Sequence, residues 1–277
     1  MGERGRLAQL LRPSGLRPSV GKAALLGALL WLGALGCRTA PLRFGPGGEI
    51  RDARRLLALL DARSETLRTF TAEGRISAHG PRGGGTTGIE VAASRPASLR
   101  LEIDGFFGSP VAILATDGRR LEIFQVDRGI FATGPATAPN LGRLLAVPLA
   151  PDLGVGILLG DPPRLAADRL SLRVDPARRA YVLTLEGGGR RQILLIDTET
   201  LDLMASRVEG PDGYEAGFDA HRSAAGIDIP RRIFLAVGTP PTSVELTYRS
   251  VELNGELDPS LFEIAPPAGA LVVPLGP

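Results

Sequence analysis

Few side chains of this sequence have the types and spacings that metal or acid–base chemistry requires. The two histidines, His79 and His221, are far apart and form none of the short His-x-x-His spacings typical of zinc sites. The run 81–88 is rich in glycine but lacks the Lys-Ser/Thr end of a phosphate loop. Two acidic pairs fall in predicted turns, where solvated carboxylates are common: Glu199 with Asp202, and Asp258 with Glu263. We therefore predict no catalytic residues, no metal site, no cofactor and no enzymatic activity.

The single cysteine, Cys37, is the residue that could be covalently modified. It ends a run of 14 apolar residues, 23–36, that follows a basic stretch, and this order is typical of a secretory signal. A bilayer-spanning helix needs roughly 20 residues. The sequence Ala34-Leu35-Gly36-Cys37 resembles the bacterial lipobox, with Ala34 and Leu35 exchanged relative to the usual order. We interpret Cys37 as a lipidated residue; the alternative is an ordinary signal peptide with an incidental cysteine.

Charge argues against a nucleic-acid partner. Five of the 32 basic residues but only one of the 30 acidic residues precede Cys37, so the mature chain carries a net charge of about −2. A lone cysteine also excludes a disulfide framework within the chain.

The chain on either side of Cys37 divides into segments of different composition. Residues 37–50 are rich in Pro and Gly, which predicts a flexible tether after the signal peptide 1–36. Residues 51–68 place leucines at helical spacing, which predicts an amphipathic helix. A helical insertion of one or two short helices is expected over 138–160. We expect the body of the protein to cover 51–264, followed by an apolar, Pro-rich tail, 265–277.

Between these segments the apolar residues alternate, which predicts an antiparallel meander of about 11–12 strands. A sheet of that size must curl or close. The leading leucine-rich helix needs an apolar surface, and the concave side of a curled sheet supplies one. We predict a mainly β fold, and thirteen stretches have the strand pattern: 70–78, 88–93, 98–104, 111–115, 119–126, 130–133, 170–174, 180–185, 192–197, 203–209, 214–221, 231–236 and 244–253.

Phe106 and Phe107 stand between two predicted strands, flanked by Gly105 and Gly108. Turn tips are normally polar, and two adjacent exposed phenylalanines form a costly surface. Either the pair is exposed for contact with an apolar partner, or both side chains fold back into the core.

Three stretches together resemble the LolA/LolB family, whose member LolB is the outer-membrane lipoprotein that receives other lipoproteins. They occur in family order: 67–77 after the opening helix, 99–109 with the Phe pair, and 147–162 in the insertion. Residues 226–233 also fit. Three features depart from LolB: the family's tryptophan in the insertion is Ile157 here, its Pro-Leu loop is Phe106-Phe107, and 257–262 is closer to other members of the fold family.

The resemblance implies a curled, incomplete antiparallel β-barrel with helices as a lid over a cavity for acyl chains. It implies that Phe107, next to Phe106, promotes insertion into the membrane. Arg38 replaces the Asp that resembles an inner-membrane retention signal, so we expect the outer membrane. From the strand pattern we expect the cavity walls to include Leu99, Leu101, Ile113, Leu121 and Ile123.

Two functions remain open. The first is a monomeric outer-membrane lipoprotein, lipid-anchored at the periplasmic face, that takes acyl chains of lipoproteins or lipids from a LolA-type periplasmic donor. The second is a non-enzymatic envelope scaffold with the same fold and a closed core. The volume of the interior distinguishes them, because ligand pockets measure about 300–1,000 Å³.

Overall fold

A computed structural model describes residues 42–80, 83–105, 108–145, 147–238 and 241–276, with the side chains of 144 and 145 excluded. The described helices are α1 (Ala53–Glu65), α2 (Ala138–Leu145) and α3 (Pro151–Leu158). The first half of the sheet comprises β1 (Thr69–Gly80), β2 (Gly83–Ser94), β3 (Ser98–Asp104), β4 (Pro110–Thr116), β5 (Arg120–Gln125) and β6 (Ile130–Pro135). After α3 follow β7 (Arg169–Asp175), β8 (Ala180–Gly187), β9 (Arg190–Asp197), β10 (Leu203–Glu209), β11 (Tyr214–Asp219), β12 (Arg222–Ala224), β13 (Ile227–Ile229), β14 (Arg232–Val237), β15 (Thr242–Leu253) and β16 (Leu271–Pro274).

Fourteen of these strands form one curled sheet in the order β16-β6-β5-β4-β3-β2-β1-β15-β14-β11-β10-β9-β8-β7. All neighbours pair antiparallel except β16, which runs parallel to β6. Strands β7 and β16 are the two edges and do not pair with each other, so the sheet stays open. The predicted fold class, a mainly β, curled and incomplete antiparallel barrel, is confirmed.

Helix α1 forms because its ends and its buried face are both satisfied. The carboxylate of Asp52 accepts a hydrogen bond from the N–H of Arg54 at 2.8 Å, which caps the first turn. Leu56 and Leu60, four residues apart, are buried in the core of the sheet. At the other end, the N–H of Thr66 bonds the carbonyl of Arg63. None of the helices in the described part of the chain has the length and apolar character needed to cross a bilayer.

The inner face of the sheet, which carries the core, is built from cross-strand apolar pairs. Leu101 of β3 pairs with Val91 on one side and Leu114 on the other, and Leu114 pairs with Ile123. All four are buried in the same cluster as α1 and α3. Such directly opposed pairs are the unit that stabilises a sheet.

The antiparallel order gives the sheet two distinct ends. The β7–β8 turn, the β9–β10 turn and the start of β1 lie at one end, which we call the α1 end. The β3–β4, β5–β6 and β10–β11 turns lie at the opposite end, which we call the far end. The described residues that flank the β3–β4 connection, Gly105 and Gly108, are therefore at the far end of the sheet.

Two terminal segments pack against the sheet. Residues 42–50 lie within the predicted tether 37–50, and here Phe44 contacts the ring of Tyr181 and Ile50 is buried. Residues 271–276, in the tail that the sequence does not place, supply β16 and the buried Leu275. The short hairpin β12–β13 was also not predicted.

Candidate functional site

The candidate site is an apolar cavity of about 80 Å³ between the inner face of the sheet and the helical insertion. Strands β1, β2, β3, β14 and β15 form its floor, and α2, α3 and the segment between them form its roof. Every lining residue is apolar or glycine: Ile76, Ile89, Leu99, Leu101, Leu141, Val147, Leu149, Gly154, Ile157, Leu158, Ile233, Leu235, Val244 and Leu246.

The predicted wall residues do not all reach the cavity. Leu99 and Leu101 line it. Leu121 and Ile123 lie on the same inner face and are buried in the core, but beside the cavity rather than in its wall. Ile113 lies on the outer face.

The placement of Ile113 corrects the prediction and follows from strand register. Ile113 pairs with Glu102 and Phe124, whereas its neighbour Leu114 pairs with the inward Leu101. Residues 111–115 are all apolar, so alternation alone does not choose a face, and a slip of one residue reverses every side chain. The C-terminal segment crosses this outer face, where the guanidinium of Arg100 donates to the carbonyl of Leu261 at 3.2 Å.

The C-terminal end of α3 is bonded to the sheet at two points. The hydroxyl of Tyr248 donates to the carbonyl of Leu158 at 2.9 Å. Tyr248 is deeply buried, and this burial raises the pKa of its phenol well above the ordinary value, so the hydroxyl stays protonated as a donor. Three residues after the end of α3, the carboxylate of Asp161 forms an ion pair with the guanidinium of Arg95 and another with that of Arg164.

A buried polar group holds the segment after α3. The side-chain amide of Gln192 donates to the carbonyl of Pro163 at 3.0 Å, and its oxygen accepts from the N–H of Leu165 at 2.7 Å. The hydroxyls of Ser206 and Tyr214 complete the group. Since these bonds satisfy Gln192, we assign it a structural role.

Helix α2 is bonded instead to the last residues of the described chain. The amide of Asn140 donates to the carbonyl of Gly276 at 2.8 Å and to that of Pro135 at 3.0 Å. The roof is therefore attached at its two outer ends, at Asn140 and at Leu158–Leu165. Its middle carries the lining residues Val147, Leu149 and Gly154.

One position in the roof faces open space. A Cβ built on Gly154, a buried glycine of α3, would meet no atom within 4 Å. Two residues later, a Cβ on Gly156 would lie 2.8 Å from the Cδ of Pro163 and 2.9 Å from the carbonyl oxygen of Asp161. Only Gly154 therefore has room for a side chain, and that room is the cavity it lines.

The acidic residues and histidines considered for acid–base or metal chemistry do not line the apolar cavity. Asp202 pairs with Arg63, Glu199 pairs with Arg179, and Asp258 caps the turn at Ser260. His79 is exposed, while burial lowers the pKa of His221. In the described ranges, no group of three or more His, Cys, Asp or Glu residues is arranged to hold a metal ion.

Three predicted site residues, Cys37, Phe106 and Phe107, lie outside the described residues. The residues that flank the Phe pair close a turn, in which the N–H of Gly105 donates to the carbonyl of Ser109 at 2.8 Å. Sequence reasoning missed Gly154, Tyr248 and Asn140. For Gly154 the sequence offered one indication, a glycine within an otherwise helical stretch.

Several solved structures share this architecture. A DUF1329 family protein from Desulfovibrio piger matches with a TM-score of 0.53 and 10% identity, over 76% of this chain and 95% of that one. A LolA superfamily protein from Nitrosomonas europaea matches with a TM-score of 0.51 and 14% identity, over 76% and 97%. A putative outer membrane lipoprotein-sorting protein domain from Vibrio parahaemolyticus gives a TM-score of 0.48 at 8% identity, over 76% and 97%.

The two matches with TM-scores above 0.5 show the fold. The chain has the curled sheet of the Nitrosomonas europaea LolA superfamily protein, in line with the fold that the resemblance implies. No protein-family model matches the chain, and no curated protein matches its sequence.

Proposed function

We propose that this protein is a lipid-anchored outer-membrane lipoprotein that takes acyl chains of other lipoproteins, or of lipids, into the cavity beneath α2 and α3. The supporting observation is the composition of that cavity, whose lining contains no polar side chain. A polar ligand would leave its own groups unpaired there, whereas each buried methylene of an acyl chain contributes about 0.8 kcal/mol. The export and lipidation motif at Cys37 puts this activity at an envelope membrane.

The size of the cavity requires a change of the roof on binding. Pockets for ligands of this kind measure about 300–1,000 Å³, and the cavity measures about 80 Å³. In this proposal the structure is the closed state. Breaking the Tyr248–Leu158 bond, while Asn140 and the Pro163–Leu165 segment stay bonded, displaces the roof, enlarges the cavity and exposes Leu149 and Leu158 to the incoming chain. The acyl chain replaces the contacts that the roof loses.

Transfer from a LolA-type donor and insertion into the membrane are the remaining parts of the proposal. Insertion is assigned to Phe107, with Phe106, on the sequence resemblance alone. The β3–β4 connection is at the far end of the sheet, whereas residues 43–45, which lead back to Cys37, are bonded at the α1 end.

The small volume favours one second candidate function. A non-enzymatic envelope scaffold would use the same fold with its core permanently closed, and a cavity of about 80 Å³ is what such a core would contain. This candidate predicts that no lipid is ever held between the roof and the sheet.

Filling the cavity tests the two functions against each other. The substitution Gly154→Leu puts an apolar side chain into the open space, and Gly85→Leu adds the same side chain on an exposed strand position that also has no neighbour within 4 Å. Native mass spectrometry of the mature protein measures co-purified lipid or an added acylated peptide. We expect binding in the wild type and in Gly85→Leu, and its loss in Gly154→Leu. Absence of bound lipid from all three proteins contradicts the carrier function and supports the scaffold.

A further inference from the structure

The anchor is joined to the body by a short segment. The N–H of Gly45 donates to the carbonyl of Thr198 at 3.1 Å, and the hydroxyl of Thr198 donates to the carbonyl of Arg43 at 2.6 Å. The chain is thus fixed to the sheet from Arg43 onward. Six Cα-to-Cα steps separate Cys37 from Arg43, which allows a reach of about 20 Å at most. The membrane that holds Cys37 must lie within that distance of the β9–β10 turn.

Helix α1 lies across this same end of the sheet. Near its C-terminus, the guanidinium of Arg63 donates to the carboxylate of Asp202 and to the carbonyls of Leu201 and Asp228, which belong to the β9–β10 turn and to the β12–β13 hairpin. Three residues after the helix, the N–H of Arg68 donates to the side-chain oxygen of Asn254, just past the end of β15. With its buried face on the core, α1 turns its other face away from the sheet.

That outward face suits a membrane surface. Arg54 and Arg55 are exposed in the first turn, and neither has an ion-pair partner among the described residues. Leu59, one turn after Arg55, is 43% exposed, which makes it one of few large apolar side chains left in solvent. Cations beside an exposed apolar side chain are typical of helices that lie on phospholipid headgroups.

We propose that the outward face of α1 is the surface on which this protein rests on its membrane, with Arg54 and Arg55 contacting anionic headgroups and Leu59 contacting the headgroup boundary. The inference rests on the part of the proposed function that makes Cys37 the lipid anchor. It adds that the body is held in one orientation, α1 end towards the bilayer. The β3–β4 turn then lies at the end of its strands away from that bilayer. This orientation and the insertion role proposed for Phe107 exclude each other at the membrane that holds Cys37, and the depth measurement below decides between them.

A depth measurement on the lipidated protein tests the orientation. Because lipidation consumes the only cysteine, a single Ala58→Cys or Ser109→Cys substitution gives a unique site for a fluorophore. Ala58 is exposed on α1, and Ser109 is exposed beside the turn at positions 106 and 107. The protein is reconstituted in phosphatidylcholine vesicles with one third phosphatidylglycerol and a nitroxide on some headgroups. We expect quenching at Ala58 to exceed quenching at Ser109 about threefold or more. Equal quenching, or stronger quenching at Ser109, overturns the orientation.

Charge reversal tests the headgroup contact. The double variant Arg54→Glu/Arg55→Glu should bring quenching at Ala58 down to the level seen in pure phosphatidylcholine. Arg128→Glu/Arg190→Glu makes the same change of charge on exposed far-end turns and should leave it unchanged. No difference between the two double variants overturns the contact.

The intact mass of the mature protein separates this inference from the function on which it depends. A mass that shows no acyl chains on Cys37 contradicts both the lipid anchor and the orientation that rests on it. A lipidated protein that binds acyl chains but shows no preferential quenching at Ala58 removes the orientation alone.

Discussion

The backbone N–H of Ile50 donates a hydrogen bond to the phenolic oxygen of Tyr181 at 2.8 Å, and both residues are buried. This contact joins the segment before α1 to the second residue of β8, 131 positions later in the chain. Together with the packing of Phe44 on the same ring, it makes residues 42–50 part of the folded body. The position of residues 42–50 relative to the sheet, and with it that of the proposed anchor, therefore depends on Tyr181.

The variant Tyr181→Phe should loosen this segment without disturbing the ring contact. It leaves the N–H of Ile50 buried without an acceptor, which costs about 1–3 kcal/mol. We expect faster amide exchange over 43–50 and a lower free energy of unfolding in urea. Tyr214→Phe, whose hydroxyl bonds Ser206 elsewhere in the core, serves as the control. It should lower stability without accelerating exchange over 43–50, and acceleration in both variants would contradict the assignment.

The variant Tyr248→Phe should make the roof easier to displace. It removes the donor to the carbonyl of Leu158 while keeping the edge-on contact between rings 248 and 70, whose centroids are 5.2 Å apart. A lost hydrogen bond of about 1 kcal/mol corresponds to an uptake rate of a fluorescent fatty acid raised about fivefold. Stopped-flow fluorescence measures the rate. Tyr181→Phe has no contact with the roof and should show the wild-type rate; a faster rate there would indicate a general loss of stability instead.

Two alanine substitutions on α3 should have opposite effects on the free energy of unfolding. Gly154→Ala replaces a helical glycine that has open space around it and should stabilise by about 0.5–1 kcal/mol. Gly156→Ala forces a Cβ against Pro163 and should destabilise by about 1–3 kcal/mol. Urea denaturation measures both. If both variants stabilise the protein, the close approach of α3 to the segment after it is not present in solution.

Stability should fall as the pH drops below about 6.5, through His221. Burial lowers the pKa of His221 in the folded protein below its ordinary value of 6.5. The unfolded chain then binds more protons than the folded chain between the two pKa values, so the free energy of unfolding rises with pH across that window. His221→Gln should flatten the dependence of the melting temperature on pH just below 6.5. His79→Gln, at an exposed position, should keep the wild-type dependence.

The tail should contribute to stability through one side chain. Leu275 is 7% exposed and packs in the core, so Leu275→Ala should cost about 2–4 kcal/mol. Val272 on the same strand is 53% exposed, and Val272→Ala should change the free energy by less than about 0.5 kcal/mol. Thermal unfolding followed by circular dichroism distinguishes them. A small effect at both positions would show that β16 is not docked.

The sequence predicted the bounds of the strands better than it predicted which side chains of each strand face the core. Strand β3 was predicted with its observed bounds, because Leu99 and Leu101 alternate with the charged residues Arg100 and Glu102. On β4 the run 111–115 has no polar residue to mark the outer side, and the choice of Ile113 over Leu114 was wrong for that reason. Register, which is a long-range property, decides such cases.

Long-range contacts also explain what sequence reasoning missed at the site. Nothing local to Tyr248 or Asn140 indicates that their partners are Leu158 and Gly276, 90 and 136 positions away. The proline and glycine content of residues 42–48 predicts flexibility, whereas two hydrogen bonds hold this segment on the body. The backbone N–H of Gly45 donates to the carbonyl of Thr198, and the hydroxyl of Thr198 donates to the carbonyl of Arg43. The composition of residues 42–48 indicates neither bond, because the partner lies more than 150 positions away in the sequence.

The parallel pairing of β16 with β6 joins the outermost strand of the first half of the chain to residues near the end of the sequence. Since synthesis of the chain begins at the N-terminus, β6 and α2 are made long before their last partners, Leu275 and Gly276, become available. An interrupted chain would leave the β6 edge uncovered and α2 without its bond at Asn140. The fold is thus complete only when the chain is.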